Sequence, residues 1–172
     1  MVIGLRKGIV ELASYSSAWV KLFEQEKKRL RNSIGSYVID IQHVGSTSIP
    51  GMLAKPIIDI GIAVERFEEG KVCIKPIEAL EYEYRGENGI PGRHYFVKGD
   101  PRTHHIHMLE HDSDEWRNHI AFRDFLRENE QAAKEYAELK IELARRFRND
   151  RLAYTEGKSE FVEAILNLCT IC

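Results

Sequence analysis

Cysteine is scarce in this chain. Three thiols in 172 residues, Cys73, Cys169 and Cys172, are odd in number and fall at no framework spacing. A disulfide-stapled fold is therefore not expected, and a reducing, cytoplasmic setting is. Cys169 and Cys172 form a CxxC pair, but one pair lacks the other two ligands of a structural zinc site and has no βαβ context for redox chemistry. No apolar run approaches the roughly 20 residues that cross a bilayer, and no basic segment with an apolar core opens the sequence. A membrane partner is not expected. Charge of one sign is missing too: 25 Lys and Arg stand against 27 Asp and Glu, a net of −2. Binding along a nucleic-acid backbone is not indicated, although a local basic patch is compatible with that balance. Repeats, low-complexity tracts and long linkers are absent as well. The length suits one domain, 1–172, with a sheet half to about residue 110 and a helical half from about 111.

What is present is organised around residues 43–64, HVGSTSIPGMLAKPIIDIGIAV. A small-residue turn, Gly45-Ser46-Thr47-Ser48, is followed by Pro50-Gly51, Lys55 and then Asp59 inside an apolar run. A carboxylate among Ile57, Ile58, Ile60 and Ile62 is costly to bury unless a cation or hydrogen-bond donors meet it.

Upstream, Ser16 or Ser17 can cap a helix whose apolar positions Trp19, Leu22, Phe23 and Leu30 recur at helical spacing, ending near Gly35. Residues 37–44 then read as a strand, and Thr47–Leu53 as a helical turn broken at Pro50-Gly51. The run 57–64 reads as a central strand covered on both faces. A poorer helix is expected over 67–80, interrupted by Gly70 and Pro76. Residues 81–87, 93–98 and 103–110 read as an antiparallel meander with turn-rich connections. Three helices follow, marked by Trp116, Ile120, Phe122, Phe125 and Leu126, by Tyr136, Leu139, Leu143 and Phe147, and by Phe161, Val162, Ile165 and Leu168.

Several constellations could carry chemistry. Gly45 allows close approach of backbone to a ligand, and Ser46, Thr47 and Ser48 offer donors at the mouth of a helical turn, which suits a phosphate. A merely capped turn has the same composition. The P-loop spacing is absent. A hard divalent ion between this turn and Asp59 would account for both, while an ion pair of Asp59 with Lys55 or with an arginine of the helical half would account for the acid alone. On a strand, His105 and His107 share a face and could ligate zinc or manganese, or meet phosphates; His94, Arg93 and Lys98 would extend that basic face if the meander pairs as drawn. His111 and His119 read as structural. In the helical half, Lys140 and Lys158 could reach phosphates, Tyr136 and Tyr154 could stack on a base, and Arg123, Asp124 and Asp150 complete the group, although a solvated helix face explains most of them.

The segments VELASYSSAW, HVGSTSIPGMLAKPIIDI, HHIHM, EWRNHIAFRDFLR and EYAELK, with Asp150, Tyr154 and Lys158 ahead of SEFV, resemble the GrpB family of small bacterial proteins over nearly the whole length. That family is placed in the polymerase-β-like nucleotidyltransferase superfamily. The resemblance implies an α+β fold, with a mixed, largely antiparallel sheet of nucleotidyltransferase type, helices packed on it and a C-terminal helical bundle. It also implies that Gly45 and Ser46 hold triphosphate and that Asp59 binds magnesium in a two-metal nucleotidyl transfer. The superfamily motif continues with a second acid two residues on and a third on a later strand. Here position 61 is Gly, and the later strand carries His105 and His107. The leading expectation is a metal-dependent nucleotidyltransferase using magnesium or manganese, with the ligand a nucleotide or phosphorylated small molecule. Its cleft would be lined by Ser46, Lys55, Asp59, His105, His107, Lys140 and Lys158. A binding module without turnover, and a hydrolase with zinc or another transition metal on Asp59, His105 and His107, are the competing expectations.

Overall fold

Along one strand Ile58, Ile60, Ile62 and Val64 alternate with Asp59, Gly61 and Ala63, so the two faces of that strand have different chemistry. In the computed structural model, which describes residues 3–171 (the side chains of 170 and 171 aside), this strand is β2, Ile58–Val64. It belongs to a sheet with β1 (Asp40–Val44), β3 (Tyr82–Tyr84), β4 (His94–Lys98) and β5 (His104–Glu110), in the order β1-β2-β5-β4-β3. β2 and β5 run parallel, and the other three pairings are antiparallel. The architecture is thus α+β with an open, mixed, largely antiparallel sheet, as expected. β2 is an interior strand as expected, between β1 and the middle strand β5.

The isoleucine face of β2 packs under α1 (Ala18–Ile34), whose Trp19, Phe23, Leu30 and Ile34 form one buried stripe against Ile58, Ile60, Ile62, Phe96, Ile106 and Met108. Each such fully buried side chain contributes about 1.5–3 kcal/mol, so this layer supplies much of the fold's stability. A 3-10 stretch, Phe67–Cys73, and the short α2 (Ile74–Glu78) close the same face in place of one poor helix. Pro76 is tolerated because it stands in the first turn of α2, where its missing N–H has no helical acceptor to lose.

The opposite face is only partly covered. α3 (Asp114–Glu128) starts at Ser113, whose hydroxyl accepts from the Trp116 amide at 3.2 Å, and this cap sets Trp116 down on Ala63 and Leu109. Beyond Trp116 the chain continues as α4 (Glu130–Arg146), α5 (Arg151–Glu156) and α6 (Ser159–Ile171). Tyr136 and Leu126 pack on Ile49 and Met52, while Leu143 and Tyr154 pack on Val10. The half of the sheet face that carries Asp59 is left between these two patches, and a cleft forms there.

Three expectations need correction. The strand expected from residue 37 begins at Asp40, because Gly35–Tyr37 takes a 3-10 turn first. The short helix α5 is additional to the expected three and is capped by Asp150, whose Oδ1 accepts from the Ala153 amide at 3.0 Å. His94 and Lys98 do not join the His105–His107 face. The register sets them opposite Met108 and His104, so His94 meets Phe67 and Tyr84 while Lys98 pairs with the buried Glu26 at 3.0 Å beneath α1. Of the CxxC pair, Cys169 is partly buried and Cys172 lies outside the described residues.

Candidate functional site

Gly45 joins β1 to a 3-10 turn, Ser46–Ser48, with φ +69°, a conformation that costs an L side chain strain. The close approach explains the glycine further: a Cβ at this position would sit 2.7 Å from Asp59 Oδ2. The turn and the carboxylate are therefore packed directly against each other. Ser48 Oγ donates to the Gly45 carbonyl at 2.5 Å, and Thr47 Oγ1 is engaged by His43 at 3.0 Å and Ile57 O at 3.4 Å. Thr47 lines the cleft, but its hydroxyl is used in holding the turn.

Asp59 is the half-buried acid at the floor of this cleft, with 28% of its side chain exposed. Parallel register puts it beside His105, and both histidines reach it: His107 Nε2 lies 3.1 Å and His105 Nδ1 3.3 Å from Oδ1. Neither Lys55 nor an arginine is its partner. Burial opposes ionisation of Asp59, but hydrogen bonds from His105 and His107 outweigh it and hold the carboxyl well below its usual pKa. Burial also disfavours the charged form of His105, against the pull of Asp59. The geometry is that of a carboxylate receiving N–H groups from both imidazoles.

Arg93 fixes one tautomer. Its guanidinium is held by the carbonyls of Glu87 and Asn88 at 3.0–3.2 Å and points NH1 at His107 Nδ1, 3.3 Å away. Arginine can only donate, so Nδ1 accepts and the proton of His107 resides on Nε2, toward Asp59. His119 of α3 stacks near the same ring at 5.0 Å, and burial drops its pKa to about 3. It backs His107 with a neutral ring rather than a charge.

The rest of the cleft is cationic. In a cavity of about 800 Å³, Lys7, Lys55, Arg85, Arg93, Arg102, Lys140, Arg151 and Lys158 face a lining in which Asp59 is the one carboxylate. Lys140 is almost fully buried; its ammonium donates to Ser46 Oγ at 3.1 Å and to the Leu53 carbonyl, above the Tyr136 ring. Lys55 and Lys158 both rest on the Tyr154 ring, 5.4 and 4.6 Å from its centroid. Burial, with mutual repulsion next, lowers Lys55 and Lys140 to about 7; burial also lowers Lys158, to about 8. Cations held together at this cost, without carboxylate partners among the described residues, are set up for an anion. Tyr136 and Tyr154 are not open to a base, since both are buried and their rings are taken by lysines. Arg123 and Asp124 pair with each other at 2.8 Å, and Arg123 braces β1 through Gln42 and the His43 carbonyl, away from the cleft.

Asp59, His105 and His107 offer one ligand atom each, all within 4.8 Å of one another. One carboxylate and two imidazoles suit a single zinc- or manganese-type ion, not a pair of hard magnesium ions that demand several oxygens. A second acid would also be crowded here: a Cβ at Gly61 would meet Trp116 at 3.0 Å and Val44 at 3.2 Å, so both side chains would have to shift. Arg93 works against even the single ion, because His107 must free Nε2 to ligate and its proton would then face a guanidinium.

Fold and site together define an α+β protein of the open mixed-sheet type, with a cationic cleft over a carboxylate on an interior strand. The family model described as GrpB protein matches residues 9–168. This chain belongs to the GrpB family. It is 44% identical over 155 residues to the YqkA protein of Bacillus subtilis, covering 90% of this chain and 45% of YqkA. It is 40% identical over 172 residues to the glutamate-rich protein GrpB of Alkalihalophilus pseudofirmus, covering 96% and 99% of the two chains. The chain thus spans less than half of YqkA and nearly all of that GrpB. The crystal structure of GrpB from Enterococcus faecalis superimposes with a TM-score of 0.86 at 37% identity, covering 92% of this chain and 96% of that one. Among the described residues no helix is long and apolar enough to cross a membrane.

Proposed function

We propose that the cleft binds a nucleoside triphosphate or a similarly polyphosphorylated small molecule in the cytoplasm and transfers its nucleotidyl group. The observation that carries this reading is Lys140, a buried cation joined to Ser46 at 3.1 Å on the turn that packs against Asp59. Phosphates placed on the Gly45–Ser46 turn would meet the Lys55, Lys140 and Lys158 ammoniums, and the ligand's reacting end would lie at Asp59. A single divalent ion would be held by Asp59, His105 and, once its Nε2 gives up the proton that Arg93 keeps there, His107, and would supply charge neutralisation for the transferred group. The turn, strand and acid also follow the order of the nucleotidyltransferase superfamily. The test is label transfer from nucleoside triphosphates with magnesium, manganese or zinc. Turnover that disappears in Asp59→Ala is the expected result, and silence with every nucleotide and metal removes the enzymatic reading.

One observation favours a second reading, a module that binds the same ligand without chemistry: Trp116 fills the space where the superfamily's second acid would project. Ligand-induced stabilisation with no turnover, weakened more by Ser46→Ala than by chelation, would select it.

A further inference from the structure

Besides the lysines, the cleft is lined by Tyr95, Arg151, Arg102 and Arg85. Arg85 is engaged by Glu83 at 2.7 Å. Arg102 and Arg151 reach salt-bridge distance of no carboxylate among the described residues. Both are half-buried, and both stand on ordered backbone. Arg102 is held by paired backbone hydrogen bonds with Leu5, each 2.9 Å, and Arg151 opens α5 directly after its Asp150 cap, with its guanidinium toward the Tyr95 hydroxyl. Burial first, and Arg151 next, oppose the charge on Arg102, while Tyr95 and Glu83 favour it. Two arginines lining one cleft, neither within salt-bridge distance of a carboxylate among the described residues, form an anion site, since guanidinium groups match phosphate oxygens two at a time. The nearby aromatic ring does not compete for a base, because Arg93 covers Tyr95 at 4.5 Å.

Resting on the polyphosphate reading above, we propose that Arg102 and Arg151 form an acceptor subsite for a phosphomonoester, so that the second substrate is itself phosphorylated. The chemistry balances without a base. An oxygen of the monoester attacks the α-phosphorus and forms a P–O–P link, while the bond from that phosphorus to its bridging oxygen breaks and pyrophosphate leaves with the electron pair. A phosphomonoester is largely dianionic near neutral pH, its second pKa being about 6, so no proton has to be removed. This suits a cleft whose one carboxylate already accepts from two imidazoles.

The experiment is calorimetric. The protein is first saturated with inorganic tripolyphosphate, to fill the lysine end, and then titrated with glycerol 3-phosphate. The expected result is that the monoester binds the tripolyphosphate-loaded protein. Arg102→Gln with Arg151→Gln should weaken the monoester at least about tenfold while changing tripolyphosphate by less than about threefold. Arg151→Gln alone serves if the double variant does not fold. Monoester binding that is absent, that is abolished by tripolyphosphate, or that falls in parallel with tripolyphosphate in the variants overturns the subsite. Failure of tripolyphosphate itself to bind the native protein would instead count against the polyphosphate reading, which keeps the two failures apart.

Discussion

Gly45 and Asp59 face each other across the junction of β1 and β2, so close that a Cβ on the glycine would lie 2.7 Å from the carboxylate oxygen. The turn cannot change without moving the acid. Gly45→Ala combines this clash with a left-handed φ of +69° and is expected to destabilise the fold by about 1–3 kcal/mol. It should also displace Asp59 from His105 and His107. Denaturant unfolding and imidazole NMR shifts check the two effects; a variant with native stability and unmoved histidine resonances contradicts the packing.

Gly61 and Trp116 form a second such pair. Restoring an acid with Gly61→Asp is expected to cost about 2–4 kcal/mol, since the carboxylate would be driven into an indole and left unpaired. Trp116→Ala is itself expected to cost about 3–5 kcal/mol through the cavity it leaves. If the two residues compete for one space, the double variant will be more stable than the sum of the single losses predicts, a coupling read from the double-mutant cycle.

The lysines make ligand binding pH-dependent. Lys55 and Lys140 near 7 and Lys158 near 8 lie below their unfolded values. The unfolded chain therefore holds more protons in the window from about pH 7 to 10, and stability of the free protein should rise with pH across it. A bound polyanion favours the charged ammoniums. Tripolyphosphate binding at pH 8 should thus take up on the order of one to two protons, and affinity should fall between pH 6 and 9. Calorimetry in buffers of different ionisation enthalpy measures the uptake; none at pH 8 would mean the lysines are already charged.

Arg93 should control metal affinity. With Arg93→Gln, the side-chain carbonyl can accept from His107 Nδ1–H and free Nε2 for ligation, so zinc or manganese is expected to bind tighter than in the native protein, by about tenfold. Asp59→Asn should remove that gain. Equal affinity with and without the guanidinium shows that His107 is not held in the assigned tautomer.

The parts of this architecture that were legible in the sequence are those set by local pattern. Asp59 stood out because an acid in an isoleucine run must find partners, and His105 and His107 share a face by strand alternation alone. The helix stripe of Trp19, Phe23, Leu30 and Ile34 is equally local. What could not be read depends on register and packing. A register of Lys98 opposite His104, not His105, is what sends that lysine under α1 to Glu26. Arg102 and Arg151 reach the cleft from two separate segments, whereas Arg93, named with the histidine strand, does meet His107. α5 is six residues long, too short for periodicity to show, and Asp150 three residues before Ala153 was the signal that could have found it.

The central claim is that Lys55, Lys140 and Lys158 hold phosphates beside Asp59, and it is tested most directly by titrating inorganic tripolyphosphate into native protein and into Lys55→Met with Lys158→Met. Saturable one-to-one binding that weakens by at least about tenfold in the variant is predicted. Absence of binding to the native protein, or an affinity unchanged when both ammoniums are gone, would contradict it.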